Sequence, residues 1–301
     1  MQAVKQAVLL LAHGAPERLE DLPAYLDLVR GGRPAPPELR EELRRRYEAI
    51  GGSSPLTART REQAQALQEK LAELGCPVPV YFGMRNWRPF IADAMARMRA
   101  DGVERIVAIC LAPQYSRASI GLYFRRVQEA KTGLGMQAEI VWTKSFHDHP
   151  LLIEAYAEKL APLAAGRRVL FTAHSLPVRI LEAGDPYDRE ARTTAELVAR
   201  RLGLAEWDFA YQSQGATEEA WLGPTVESVL DEYAARGVRE VALAPIGFVS
   251  DHLEILYDVD IYFRQYARER GIHLCRTESL NASPTFISAL AEIARARLLA
   301  G

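Results

Sequence analysis

The sequence is short of cysteine, of phosphate-binding glycine loops, of long apolar runs and of any charge excess. Each shortage narrows what the chain can be. Its three cysteines, Cys76, Cys110 and Cys275, lie far apart and without CxxC spacing. That spacing gives no basis for a disulfide framework, a zinc site or an iron–sulfur cluster. Cys110 and Cys275 fall in apolar, strand-like runs, where a thiol acts as a small hydrophobe. A reducing cytoplasm is the compartment expected. No GxGxxG opens a helix and no GxxxxGK[ST] occurs, and HGAPER and AHSLPV hold too little glycine to cradle a diphosphate. A nucleotide or other organic cofactor is therefore not expected. The apolar run in MQAVKQAVLLLAHG is too short to span a bilayer and has no signal-peptide cleavage region. It reads as a buried first strand, with no membrane insertion. Finally, 37 basic and 39 acidic residues leave a net charge of −2. This balance argues against nucleic acid or an anionic membrane as partner, so any basic patch must be local.

What the chain does have is length, apolar content and alternation. At 301 residues it holds one large or two modest domains, and nearly half its residues are hydrophobic. Short apolar runs at 6–12, 78–83, 105–112, 138–143, 167–173, 208–212, 239–246 and 272–276 alternate with amphipathic segments, among them 61–74, 88–100, 151–163, 188–202 and 285–299. Continuous apolar runs suit parallel strands buried on both faces, and alternation of strand and helix predicts a doubly wound α/β fold.

The sequence also repeats. VLLLAHGAP at 8–16 resembles VLFTAHSLP at 169–177, GVERIVAICLAP at 102–113 resembles GVREVALAPIGF at 237–248, and SFHDHPLLIEAYAEKL at 145–160 resembles SLNASPTFISALAEIA at 279–294. Three pairs in one order predict two similar Rossmann-like halves: residues 1–145 with a flap at 14–60, a connecting helix at 146–164, and residues 165–301. Ligands of open α/β sheets bind beyond the carboxyl ends of the strands. Two such halves facing each other would make a cleft lined by His13, His174 and the segments after Pro113 and Pro245.

Several residues at these ends bear chemistry. His174 follows an apolar strand directly, where an imidazole can accept a proton near neutral pH or simply cap or fill the core. Glu254, in VSDHLEILYDVD, either faces the cleft or closes a capping box with Asp251. A spacing of two keeps His252 and Glu254 off one helix face, so at most one of them is expected in the site. Trp221 in WLGP follows a polar, loop-like stretch, which favours a flat aromatic wall over a core position. The long 14–60 connection carries Arg30, Arg33, Arg40, Arg44, Arg45 and Arg46. Most should be solvated on an amphipathic helix, with one or two able to bind carboxylates. His147 and His149, two apart in a loop and without a third ligand, are a weak metal signal.

LAHGAP, RYEAIGGSSPL, LAPQYS, AHSLP, GDPY, WLGP and SDHLEILYD occur in this order from residue 11 to 258. In this the chain resembles the ferrochelatases, most nearly the soluble bacterial coproporphyrin type, over residues of about 7 to 297. The resemblance implies a chelatase fold and insertion of Fe²⁺, the substrate metal, into a porphyrin in haem biosynthesis, by a cytoplasmic monomer. It makes His174 and Glu254 the catalytic pair and the groups that meet the metal. It makes Trp221 a pocket wall, and Arg30, Arg46, Ser54 and Tyr123 the contacts of porphyrin propionates. Relatives often carry Tyr where this chain has His13, on the porphyrin face opposite His174. An outer acidic position of relatives, one helical turn beyond Asp258, is Tyr262 here. Coproporphyrin III is the substrate implied, with protoporphyrin IX the alternative. Insertion of Co²⁺ or Ni²⁺ into another tetrapyrrole, a haem-binding protein without catalysis and a nucleotide-dependent α/β enzyme are the competing classes.

Overall fold

The eight predicted strands all form, and they pair into two parallel sheets of four. A computed structural model describes residues 4–215 and 219–300. The first sheet contains β1 (Gln6–Ala12), β2 (Val80–Met84), β3 (Arg105–Cys110) and β4 (Glu139–Thr143) in the order β2-β1-β3-β4. The second contains β5 (Arg168–His174), β6 (Trp207–Gln212), β7 (Glu240–Pro245) and β8 (His273–Arg276) in the order β6-β5-β7-β8. The repeated segments VLLLA and VLFTA thus hold equivalent central places. β1 and β3 are buried along almost their whole length, as parallel strands covered on both faces must be.

In both sheets the order reverses between the first and third strands, which is where open α/β sheets place ligands. In the second sheet the register ends unevenly at this point. Thr172 pairs with Pro245, while β5 runs on to pair His174 with Gln212 of β6. Beyond Pro245 the Ile246 N–H turns back to the Ala244 carbonyl at 2.9 Å and the Gly247 N–H reaches the Thr172 carbonyl at 3.2 Å, so the regular ladder of β7 ends while β5 runs on.

The chain divides into two compact units. One comprises the residues up to Ala112, Ser119–Phe146 and the chain from Asn281; the other comprises Pro113–Ala118 and His147–Leu280. These bounds differ from the halves at 1–145 and 165–301 that the repeats suggest. The last helix of each repeat belongs to the other unit: Pro150–Ala164 goes with the second and Pro284–Leu298 with the first. Packing accounts for the difference. Helix Pro284–Leu298 lies on helix Leu56–Glu73 and β3, with Phe286 and Leu290 fully buried. Gln63 donates to the Asn281 carbonyl at 2.8 Å and Arg105 to the Leu298 carbonyl at 3.3 Å. Helix Pro150–Ala164 packs instead on helix Tyr187–Leu202 and β7. Among the described residues no helix is long and apolar enough to cross a membrane.

Candidate active site

His174, the last residue of β5, stands at the switch point of the second sheet. Its carbonyl accepts the Tyr187 hydroxyl at 2.8 Å, and its Nδ1 is hydrogen-bonded to the Ser175 carbonyl. A carbonyl only accepts, so Nδ1 carries a proton, and Nε2 is the ring nitrogen left for proton exchange. Nε2 lies 3.7 Å from Glu254 Oε1, and the two side chains are 30% and 34% exposed. A proton arriving on Nε2 makes an imidazolium held between a carbonyl and a carboxylate.

The other Glu254 oxygen, Oε2, is 3.6 Å from His252 Nε2. This carboxylate thus has an imidazole beside each of its oxygens. The spacing rule that keeps residues 252 and 254 apart applies only inside a helix. His252 lies just ahead of the helical segment, where its carbonyl accepts the Ile255 and Leu256 N–H groups, and its ring reaches Glu254. His252 Nδ1 donates to the Ser250 carbonyl at 2.9 Å. Burial alone disfavours the charged ring. The hydrogen bond and charge of Glu254, helped by the Ser250 carbonyl and by Asp258, outweigh it and raise the His252 pKa above that of a free histidine. The Phe248 ring packs beside His252 at 4.6 Å and edge-on to His174 at 6.3 Å.

Asp251 does not cap the helix. Its carboxylate takes the Ser279 hydroxyl at 2.7 Å and faces Arg276 at 3.6 Å, and the helical segment has Leu253 at its N-cap without a side-chain cap. The segment Glu254–Phe263 is π-helical. Such i→i+5 stretches are rare and frequently found at functional sites. Its buried Asp258 accepts the Ser213 hydroxyl, while Tyr262 is exposed against Phe263 and Tyr266.

The loops around His174 are fixed by the other motifs. Gly247 sits where a Cβ would stand 2.8 Å from the Ala173 Cα, so only glycine lets the chain after β7 pass this close to β5. The carbonyls on either side are pinned. Ile246 accepts from Tyr156 at 2.9 Å and from Gln114 at 3.1 Å, and Phe248 accepts from Tyr156 at 3.1 Å. In GDPY, Asp185 receives the Ser116 hydroxyl at 3.0 Å and the Arg117 N–H at 2.8 Å, binding the PQYS segment, while Tyr187 holds His174. Burial, then the charges of Glu254 and Asp185, push the Tyr187 phenol up, so it remains a donor. In AHSLP, the Ser175 hydroxyl donates to the Leu222 carbonyl at 2.9 Å, and Pro177 bridges to Trp221. Trp221 is half-buried with its ring against Gly215.

In the first unit, His13 follows β1. Its Nε2 meets Asn86 at 3.0 Å and its Nδ1 meets Arg85 at 3.4 Å, with the Tyr25 ring edge-on. Tyr123 is buried beneath the Arg85 guanidinium, 4.8 Å from ring centre to Cζ. Ser54 is buried too, and its hydroxyl accepts the Leu56 N–H at 3.4 Å, at the start of helix Leu56–Glu73. Arg40, Arg44, Arg45 and Arg46 pair with Asp27, Glu48, Glu41 and Glu42 respectively. Arg30 is half-buried, and its Nε has no hydrogen-bond partner among the described residues. His147 faces Glu190 at 3.5 Å, and among the described residues no group of three His, Cys, Asp or Glu is arranged to hold a metal.

Sequence reasoning pointed to His174, Glu254 and Trp221 and set His252 aside. It did not single out Phe248, Gln114 or Tyr156. The one usable signal for them was position, since Gln114 and Phe248 each follow the proline that ends a repeated strand segment.

Two parallel sheets of this order, with a histidine at a strand end facing a glutamate, define a chelatase-type fold. The fold is shared with the sirohydrochlorin chelatase SirB of Bacillus subtilis subspecies spizizenii (TM-score 0.61, 14% identity, 97% of this chain and 94% of that one) and with SirB from Bacillus subtilis (TM-score 0.64, 12% identity, 98% and 96%). The ferrochelatase family model matches residues 5–298. A ferrochelatase of Acidobacterium capsulatum is 45% identical over 98% of this chain and 95% of its own length. A coproporphyrin III ferrochelatase of Geobacillus kaustophilus is 41% identical over 95% and 94%. The chain belongs to the ferrochelatase family, and its activity is metal insertion into a porphyrin in haem biosynthesis.

Proposed function

We propose that the chain inserts Fe²⁺ into coproporphyrin III, giving coproheme with release of two protons, and that His174 and Glu254 carry the proton transfer. The observation that carries this reading is the proton fixed on His174 Nδ1 by the Ser175 carbonyl, which leaves Nε2 beside the Glu254 carboxylate at 3.7 Å. Two pyrrole N–H protons must leave as the metal enters. Nε2 accepts a proton, Glu254 stabilises the imidazolium, and His252 on the far oxygen gives the proton an onward acceptor. The same His174 and Glu254 atoms meet the incoming Fe²⁺. The reaction exchanges two protons for one metal ion without electron transfer, so it calls on no organic cofactor. A protein that merely bound haem would need an axial ligand but no such pair.

Coproporphyrin III carries four propionates and protoporphyrin IX two. In this proposal Arg30 and Arg46 bind them, with Ser54 and Tyr123 as neutral contacts, Trp221 as a wall and His13 as an axial contact. The relative from Geobacillus kaustophilus supports this choice, as does an Arg30 Nε without a hydrogen-bond partner among the described residues. Peripheral contacts serve catalysis by bending the macrocycle, so weakening them lowers kcat as well as raising KM. The test is kcat/KM for the two porphyrins at equal Fe²⁺ and matched detergent. The proposal expects coproporphyrin to be favoured, and Arg46→Glu to remove the preference while His174-dependent chemistry persists. A protoporphyrin value equal or higher contradicts the substrate and leaves the chelatase activity standing. The same proposal has the enzyme working as a cytoplasmic monomer, which sedimentation at working concentration checks.

A further inference from the structure

The first unit contains an arginine-lined groove whose lining includes none of the residues assigned above to the porphyrin. Its volume is about 500 Å³, and its lining includes Thr57, Arg61, Arg88 and Arg97, with Glu17 and Asp93 at its acidic side. Arg61 extends over the Phe82 ring at 6.0 Å, but none of the three guanidinium groups makes an ion pair or a hydrogen bond with a described residue. This contrasts with helix Pro37–Ala49, whose arginines at 40, 44, 45 and 46 all have carboxylate partners. Asp93 is itself occupied, since its Oδ2 accepts the Phe90 N–H at 2.9 Å.

Two further features point the same way. Thr57 is only 2% exposed, and its Oγ1 has no hydrogen-bond partner among the described residues. A buried hydroxyl without a partner is disfavoured, so one that lines a groove asks for a ligand acceptor. Thr57 is also the second residue of helix Leu56–Glu73, an 18-residue helix. The first-turn N–H groups of a helix have no helical acceptor, and the dipole there favours negative charge. Arg61 stands one turn further on, at the i+4 spacing that stacks side chains on one face.

We propose that this groove binds a phosphate-bearing small molecule through its phosphate group. Arg61, Arg88 and Arg97 supply the positive charge, and Thr57 donates its hydroxyl to a phosphate oxygen. Arginine is suited to this because its planar fork gives two parallel hydrogen bonds to an oxyanion. Three arginines against Glu17 and Asp93 select for an anion, and the open side of the groove leaves room for an organic body. The inference is independent of the porphyrin chosen above.

The probe is inorganic phosphate, titrated into the full chain by calorimetry at constant ionic strength with chloride as control. Saturable binding is expected in the wild type and not for chloride. Arg61→Gln and Arg97→Gln should each weaken it by about tenfold, the size of a lost charge-assisted contact. Thr57→Val is the discriminating variant, because it removes an unpaired hydroxyl at nearly constant shape. It should melt no lower than wild type without phosphate and yet bind phosphate several-fold more weakly. Arg44→Gln, on another helix, should bind as wild type does. Absence of saturable heat in the wild type overturns the proposal, and so does an affinity that Thr57→Val and the arginine variants all retain. An arginine variant that fails to fold leaves Thr57→Val to decide the matter.

Discussion

In the proposed mechanism His174 depends on its neighbours as much as on its own ring. The Ser175 carbonyl selects the tautomer, and the Tyr187 hydroxyl fixes the backbone that bears the ring. Tyr187→Phe keeps the buried ring and removes only the 2.8 Å bond to the His174 carbonyl. A loss of about 0.5–1.5 kcal/mol in urea melts is expected. Slower metal insertion at unchanged porphyrin affinity should accompany it, and unchanged insertion with normal stability contradicts the positioning role. At this scale the sequence was legible where a residue's place on a strand decides its direction, as for His174. It misled at His252, because the helical spacing rule was applied to a residue that lies ahead of the helix. The Tyr187 contact was illegible: GDPY stood out as a motif, but nothing local shows a tyrosine reaching a strand 13 residues earlier.

The elements around the site meet at Gly247 and along β5. Gly247→Ala places a methyl group 2.8 Å from the Ala173 Cα, against backbone that cannot yield as a flexible side chain does. A cost of about 1–3 kcal/mol in denaturant melts is expected, with metallation falling more than stability because His174 is the next residue displaced. The opposite end of β5 carries a pH-dependent tie. Asp208 accepts from Arg168 at 2.8 Å and from Tyr233 at 2.6 Å. Burial acts to raise its pKa, but these two hydrogen bonds and the Arg168 charge prevail and hold it below its ordinary value of 3.8. A depressed carboxylate adds stability that is present above the unfolded pKa and lost as pH falls through the folded one. Arg168→Gln should therefore cost most stability near neutrality and progressively less below about pH 4 in acid melts. A penalty that grows toward low pH contradicts this. Strands were readable because burial on both faces leaves an unbroken apolar run. The helix at Leu56–Glu73 starts earlier than its periodicity suggests, since Ser54 and Pro55 set its beginning, and the π-helical Glu254–Phe263 carries no separate sequence signature.

For the whole molecule, the repeats revealed two similar sheets but not which unit takes each final helix. That depends on packing between segments far apart in sequence, as where Gln63 meets Asn281. Phe286 is fully buried in the unit that holds β1 and β3. Phe286→Ala should cost about 3–5 kcal/mol and accelerate amide exchange in β1 and β3 more than in β5 and β7. The reverse pattern would restore the division by chain order. The central claim, that His174 and Glu254 form one proton-accepting unit, is tested most directly by anaerobic single-turnover metallation of bound coproporphyrin III, followed by absorbance. The account predicts that porphyrin binds wild type, His174→Ala, Glu254→Gln and the double variant alike. Insertion should slow by about 100-fold or more in His174→Ala, and the double variant should be no worse. Insertion by His174→Ala within about tenfold of wild type would contradict it.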